Sequence, residues 1–187
     1  LIKQANKESK ERYEKYNRCQ MPYHLYIDQS KNSSYTLLNH QLWDKNTSIA
    51  LDFPKDKPED EYFDILAEKI TEQIKWIEEN REKIEKALTD YGCISLAEDW
   101  ASSAEKADDE EQECYIMEDG QKVFFPISEE EFLNSLYFES ISIDFRSDTE
   151  NPEIELFISC SPDYFAYHVL HVSADSEKNV KCRGLAG

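Results

Sequence analysis

Three stretches in the C-terminal third alternate apolar with polar residues at a period of two. Ile141, Ile143 and Phe145 alternate with Ser142 and Asp144. Ile154, Leu156 and Ile158 alternate with Glu155, Phe157 and Ser159. His168, Leu170 and Val172 alternate with Val169, His171 and Ser173. Successive side chains of a strand point to opposite faces, so each stretch predicts a strand with one buried face. The breaks at Asp148 to Pro152, Ser161 to Asp163 and Asp175 to Asn179 are short and rich in turn formers. Short turns predict an antiparallel meander, with Val180 to Cys182 as a further edge. Ser128 followed by Glu131 is a capping box that opens a short helix just upstream. Glu129 and Glu130 suit the positive end of its dipole.

A second pattern has helical spacing. Phe63, Leu66, Ile70, Ile74, Ile77, Ile84, Leu88 and Tyr91 recur every three, four or seven residues, and Arg81 alone interrupts the stripe. Asp56 with Glu59 predicts its N-cap, Pro58 its first turn and Gly92 its stop. The expected element is one long amphipathic helix over about 58–91, roughly 50 Å at 1.5 Å per residue, with a weak point near Asn80. A helix lying on a sheet fits better than a coiled coil, because too few heptads are present. Cys93 to Trp100 reads as a second helical or turn segment.

Before this helix, Tyr35 to Trp43 and Ser48 to Phe53 read as a hairpin turning at Asp44 to Thr47, and Tyr23 to Ile27 as a short strand. Lys3 to Asn17 reads as a polar peripheral helix. Beyond the long helix, Ala101 to Glu113 has no apolar periodicity and is expected to be an acidic surface loop. Asp119-Gly120 marks a hairpin between Cys114 to Met117 and Lys122 to Phe125. The expected fold class is α+β: antiparallel meander and hairpins, one long amphipathic helix, and shorter helices packed on the sheet. Residues 1–20 are expected to form an arm, and 21–187 one domain with an acidic loop at about 101–113.

Charge narrows the function classes. The chain has 187 residues, 40 acidic against 21 basic, for a net charge of −19. Such a surface repels a phosphate backbone or an anionic membrane and suits a basic protein partner. The acid is concentrated, since Glu98 to Asp119 has a net charge of −9 while Leu1 to Arg18 has +3. Asp108, Asp109, Glu110, Glu111 and Glu113 are the candidate partner contacts, with Tyr115 as an aromatic anchor. The plainer alternative is a solvated acidic loop that keeps the chain soluble.

The five cysteines, Cys19, Cys93, Cys114, Cys160 and Cys182, show no zinc spacing and no C-x-x-C. Buried free thiols are expected, and with them a reducing, cytoplasmic location. No apolar run reaches the 18 residues or so that span a bilayer. The sequence starts at Leu1 rather than at a methionine, which leaves the native start, and with it a leader peptide, open.

Catalytic patterns are absent from the sequence. It holds no G-x-S-x-G, P-loop or G-x-G-x-x-G, and its four glycines are too few for a phosphate-cradling loop. On a strand His168 and His171 would face opposite sides and could not chelate one ion. No cofactor and no metal are expected.

The residues that follow carry a resemblance. The helix end Leu88-Thr89-Asp90-Tyr91, then Leu96-Ala97-Glu98-Asp99-Trp100, Ile127 to Phe132 and Ile141-Ser142-Ile143 form a series. It ends in Asp163-Tyr164-Phe165-Ala166-Tyr167-His168-Val169-Leu170-His171-Val172, Asp175 to Asn179 and Gly187. This order resembles a bacterial family known as domain of unknown function 2262, over about two thirds of the chain. The sequence departs from that family at Tyr167, where a glycine usually precedes the histidine. The insert Ser102 to Glu113 also looks peculiar to this chain. The resemblance implies a protein of toxin–immunity neighbourhoods, in which small acidic domains block a toxin, and so a binding module. Two rivals remain: a self-associating assembly protein, and an enzyme with a site around His168, Asp163 and Tyr164.

Overall fold

The computed structural model describes residues 36–57, 59–107 and 112–187. The expected helix at Lys3 to Asn17 and strand at Tyr23 to Ile27 lie outside the described residues. The chain runs β1 (Thr36–Leu42), β2 (Lys45–Asp52), α1 (Glu59–Glu79), α2 (Arg81–Tyr91), α3 (Cys93–Ala101), β3 (Glu105–Lys106), β4 (Cys114–Ile116) and β5 (Lys122–Phe124). It continues through α4 (Glu129–Ser135), β6 (Leu136–Asp144), β7 (Glu153–Cys160), β8 (Val169–Ala174) and β9 (Val180–Ala186). Helices and sheets are segregated along the chain, as the α+β reading expects.

Six strands form one sheet in the order β1-β2-β6-β7-β8-β9, and three form a small sheet, β3-β4-β5. The meander from β6 to β9 is antiparallel throughout, as the short turns require. The contact between β2 and β6 is different. Ser48 pairs with Ser140 and Asp52 with Asp144 in parallel register, which corrects the expectation of a purely antiparallel sheet. The connection between these two strands carries four helices and the small sheet, long enough to return the chain to the end where β2 began.

The first hairpin is tighter than expected. Leu42 pairs with Lys45, so the turn is Trp43-Asp44 alone, both at positive φ (48° and 64°). Two such residues match the twist of the flanking strands. Trp43 is held there by packing: its ring lies 4.1 Å from Phe138, and the Arg81 guanidinium sits 4.7 Å above it.

The apolar stripe forms two helices instead of one. The break falls at Asn80, whose backbone (φ −107°, ψ 27°) leaves the helical region and whose side-chain amide donates to the Trp76 carbonyl at 2.8 Å. Arg81 occupies the interrupted position of the stripe. Its Nε donates to Glu85 at 2.6 Å while its guanidinium covers Trp43, so a cation can sit where an apolar residue was expected. Asp56 also departs from its expected role. Its carboxylate accepts the Tyr62 hydroxyl at 2.5 Å. Gly92 ends α2 as expected, in the left-handed region at φ 91°.

One face of the large sheet is buried. Ile49, Leu51, Ile141, Ile143, Ile154, Leu156, Ile158, Leu170 and Val172 form one cluster with Leu66, Ile70, Ile74, Ile77, Ile84 and Leu88 of the helices. Each such side chain contributes about 1.5–3 kcal/mol by leaving water. The opposite face carries Ser48, Ala50, Asp52, Ser140, Ser142, Asp144, Glu155 and His171, all partly exposed. Part of the expected acidic loop is a strand, because Glu105 and Lys106 pair with Ile116 and Tyr115. Asp119-Gly120 makes the expected hairpin turn, with Gly120 at φ 79° and the Met117 amide donating to the Gln121 carbonyl at 2.9 Å. Among the described residues no helix is long and apolar enough to cross a membrane.

Candidate functional site

The acidic end of the molecule is built around α4. Ser128 Oγ accepts the Glu131 amide at 3.2 Å, and the Glu131 carboxylate accepts the Ser128 amide at 3.0 Å. This reciprocal cap sets the helix start, so Glu129 and Glu130 project from its first turn. Phe132, fully buried, fixes the helix against the core.

Two depressions flank α4. A trough of about 650 Å³ is lined by Arg81, Glu85, Glu129, Glu130, Leu133 and Asn134. A cleft of about 310 Å³ lies on the other side, with Val123, Phe124, Ile127, Pro162 and Tyr164 as its apolar lining and Lys122, Glu131, Asn134, Ser135 and Ser161 as its polar one. Asn134 lines both. Phe124 is a large apolar side chain left 38% exposed at the cleft. An acidic trough beside an apolar cleft can take a segment that carries both a cation and an apolar side chain.

The predicted contact residues fall beside this surface in part. Asp108, Asp109, Glu110 and Glu111 lie outside the described residues. The ends of their connection are anchored on the small sheet: the Ala107 amide donates to the Cys114 carbonyl at 2.9 Å, and the Gln112 side-chain amide to the Phe125 carbonyl at 2.9 Å. Glu113 accepts the Lys106 ammonium at 3.0 Å and the Tyr115 hydroxyl at 2.8 Å. Those two donors hold its carboxyl below the ordinary range. Tyr115 is only 9% exposed, with its ring 4.8 Å from Phe125, so it serves mainly as a core residue of the small sheet. The exposed aromatic nearby is Phe124, which sequence reasoning passed over as an ordinary strand residue.

His168, Asp163 and Tyr164 are each engaged elsewhere. The Asp163 carboxylate accepts the amides of Phe165 at 3.1 Å and Tyr167 at 2.7 Å, organising the turn before β8. The His168 ring meets the edge of Trp100 at 5.1 Å, and Gly187 lies so close that a Cβ there would be 2.6 Å from Nδ1. Tyr164 stacks on Phe132, and burial pushes its hydroxyl up to about 12. His168 precedes β8 instead of lying on it. Tyr167 sits at φ 66° and is 72% exposed, so it occupies a left-handed conformation that favours glycine.

A cross-strand pair escaped the sequence. His171 Nε2 is in hydrogen-bond contact with the Glu155 carboxylate, and its ring stacks on Phe157 with centroids 5.1 Å apart. Beside it Arg183 Nε donates to Ser173 Oγ at 2.9 Å. These groups lie 10 and 16 residues apart and meet through the register of β7, β8 and β9. No group of three or more metal-ligating side chains occurs among the described residues.

The fold and this surface define an α+β protein with a mixed six-stranded sheet and an acidic, concave end. The family model described as "Uncharacterized protein conserved in bacteria (DUF2262)" matches residues 27–185, and the chain belongs to that family. No curated protein and no solved structure gives a significant match.

Proposed function

We propose that this protein is a binding module of the immunity type, which neutralises a bacterial toxin by occluding a basic surface on it. The observation that carries the reading is the trough and the cleft that α4 lines together, acidic at Glu129 and Glu130 and apolar at Phe124 and Ile127. The net charge of −19 would steer a basic partner toward the protein from a distance. Desolvated contact at Phe124 would then supply the slow dissociation, since buried aromatic anchors dominate interface energy. Asp108, Asp109, Glu110, Glu111 and Glu113 stay candidate partner contacts in this reading by their charge. Its site of action is the cytoplasm, which the free, buried Cys93, Cys114, Cys160 and Cys182 support.

The test is a pull-down of the tagged full chain from its native lysate at low and high salt, repeated with Phe124→Ala and with Glu129→Gln/Glu130→Gln. The expected result is one basic protein that is retained at low salt, weakened at high salt and weakened by both variants, and whose toxic activity the native chain blocks. A partner indifferent to salt and to both variants, or no partner at either salt, overturns the reading.

A further inference from the structure

The junction between α2 and α3 touches β9 twice. Tyr91, the last residue of α2, lies over Gly184, whose added Cβ would meet the Tyr91 hydroxyl oxygen at 2.9 Å. Two residues on, Cys93 opens α3 and places its Sγ 3.9 Å from Sγ of Cys182. Both cysteines are free and buried, Cys93 completely and Cys182 to 4% exposure. They are 89 residues apart in the chain, so the pairing is a product of the fold.

We propose that Cys93 and Cys182 form a site of reversible oxidation, a dithiol that hydrogen peroxide converts to a disulfide clasping the α2–α3 junction to β9. A disulfide needs its sulfurs at about 2.05 Å, so each must move by only about 1 Å. The backbone on both sides has room for that. Gly92 is left-handed, with no atom within 4 Å of where its Cβ would stand. Beyond Cys182, the register shift between His171 and Val172 leaves Arg183 as an extra residue in β9. Among the described residues β9 is also an outer strand of the sheet, bonded to β8 on one side.

The two thiols are chemically unequal. The contact with Cys182, together with burial, raises the Cys93 thiol, while the same contact lowers the Cys182 thiol. Cys182, 4% exposed where Cys93 is fully buried, is the sulfur open to a peroxide and hence the attacking one. Its thiolate attacks one peroxide oxygen, the O–O bond breaks, and the departing hydroxide takes a proton to become water, leaving a sulfenic acid. The Cys93 sulfur then attacks the Cys182 sulfur. The S–O bond breaks, and the hydroxide leaves as water with the Cys93 proton. The two sulfurs give up two electrons and the peroxide receives them. Cys160 contrasts with Cys182, because burial pushes its thiol up to about 12.

The experiment uses the reduced full chain under native conditions, treated with hydrogen peroxide, alkylated and mapped by mass spectrometry. The expected product is one Cys93–Cys182 disulfide, a loss of about 2 Da that a dithiol reductant reverses. Cys93→Ser and Cys182→Ser abolish it, and Cys160→Ser leaves it intact. The mapping is made on the native sequence, so the result does not depend on a variant folding. Free thiols throughout, a disulfide joining another pair, or Cys182 driven to the sulfinic acid without closure would each overturn the proposal. The site is independent of the partner-binding surface.

Discussion

The Asp119 carboxylate accepts the backbone amide of Asp163 at 3.0 Å, joining two turns that lie 44 residues apart. The same carboxylate takes the Gln121 amide and side chain, each at 2.9 Å. One residue thus shapes the β4–β5 turn and ties it to the turn before β8, which carries the exposed Tyr167. Gln121 reinforces the tie through Ser161 Oγ at 3.0 Å.

This tie should be sensitive to acid. Partial burial pushes the Asp119 carboxyl up, but its amide donors outweigh that, and the folded-state value lies below the ordinary 3.8. A depressed carboxylate stabilises the fold above its unfolded-state pKa, and the contribution is lost as pH falls through the folded value. Asp119→Asn is expected to cost about 1 kcal/mol at pH 7. The difference should begin to shrink below about pH 3.8 and close as pH falls through the lower folded value. Urea unfolding of both proteins at neutral and acid pH checks this, and a gap that stays constant with pH would refute it.

Gly184 should tolerate no side chain. It sits at φ 99° and beneath the Tyr91 hydroxyl. Gly184→Ala is expected to destabilise by about 2 kcal/mol through backbone strain and the close contact together. Adding Tyr91→Ala removes the contact but not the strain, so the double variant should recover part of the Gly184→Ala loss. Full recovery would show that the conformation is not strained. Thermal unfolding of the native chain and the three variants supplies the comparison.

Tyr167 is the converse case. Its left-handed backbone costs about 1 kcal/mol for a residue with a Cβ, and its ring is mostly exposed. Tyr167→Gly relieves that strain, partly offset by the greater freedom of glycine in the unfolded chain. The variant is expected to be as stable as the native protein or more stable by up to about 1 kcal/mol. A loss beyond about 1 kcal/mol would mean that the tyrosine ring makes a stabilising contact, because surface changes without one fall within about ±0.5 kcal/mol.

Local physics is written plainly in this sequence. Period-two alternation gave β6, β7 and β8 and their buried faces, because side-chain direction in a strand follows from the backbone alone. The Ser128–Glu131 box, the Asp119-Gly120 turn and the Gly92 stop were legible because each acts within a few residues. Family membership was legible too, in the residues between Leu88 and Gly187.

Tertiary structure decided what depends on neighbours far along the chain. Arg81 could open α2 inside an apolar stripe because Trp43 waited beneath it. β2 joined β6 in parallel because the helices between them returned the chain to its starting end. Tyr115 and Phe124 look alike as aromatics on short strands, yet packing buried the first and left the second at a cleft. The Cys93–Cys182 and Glu155–His171 contacts arise from packing and register across β7, β8 and β9. A one-residue slip in register would turn those side chains to the other face of the sheet, so no pattern within a single strand could announce them.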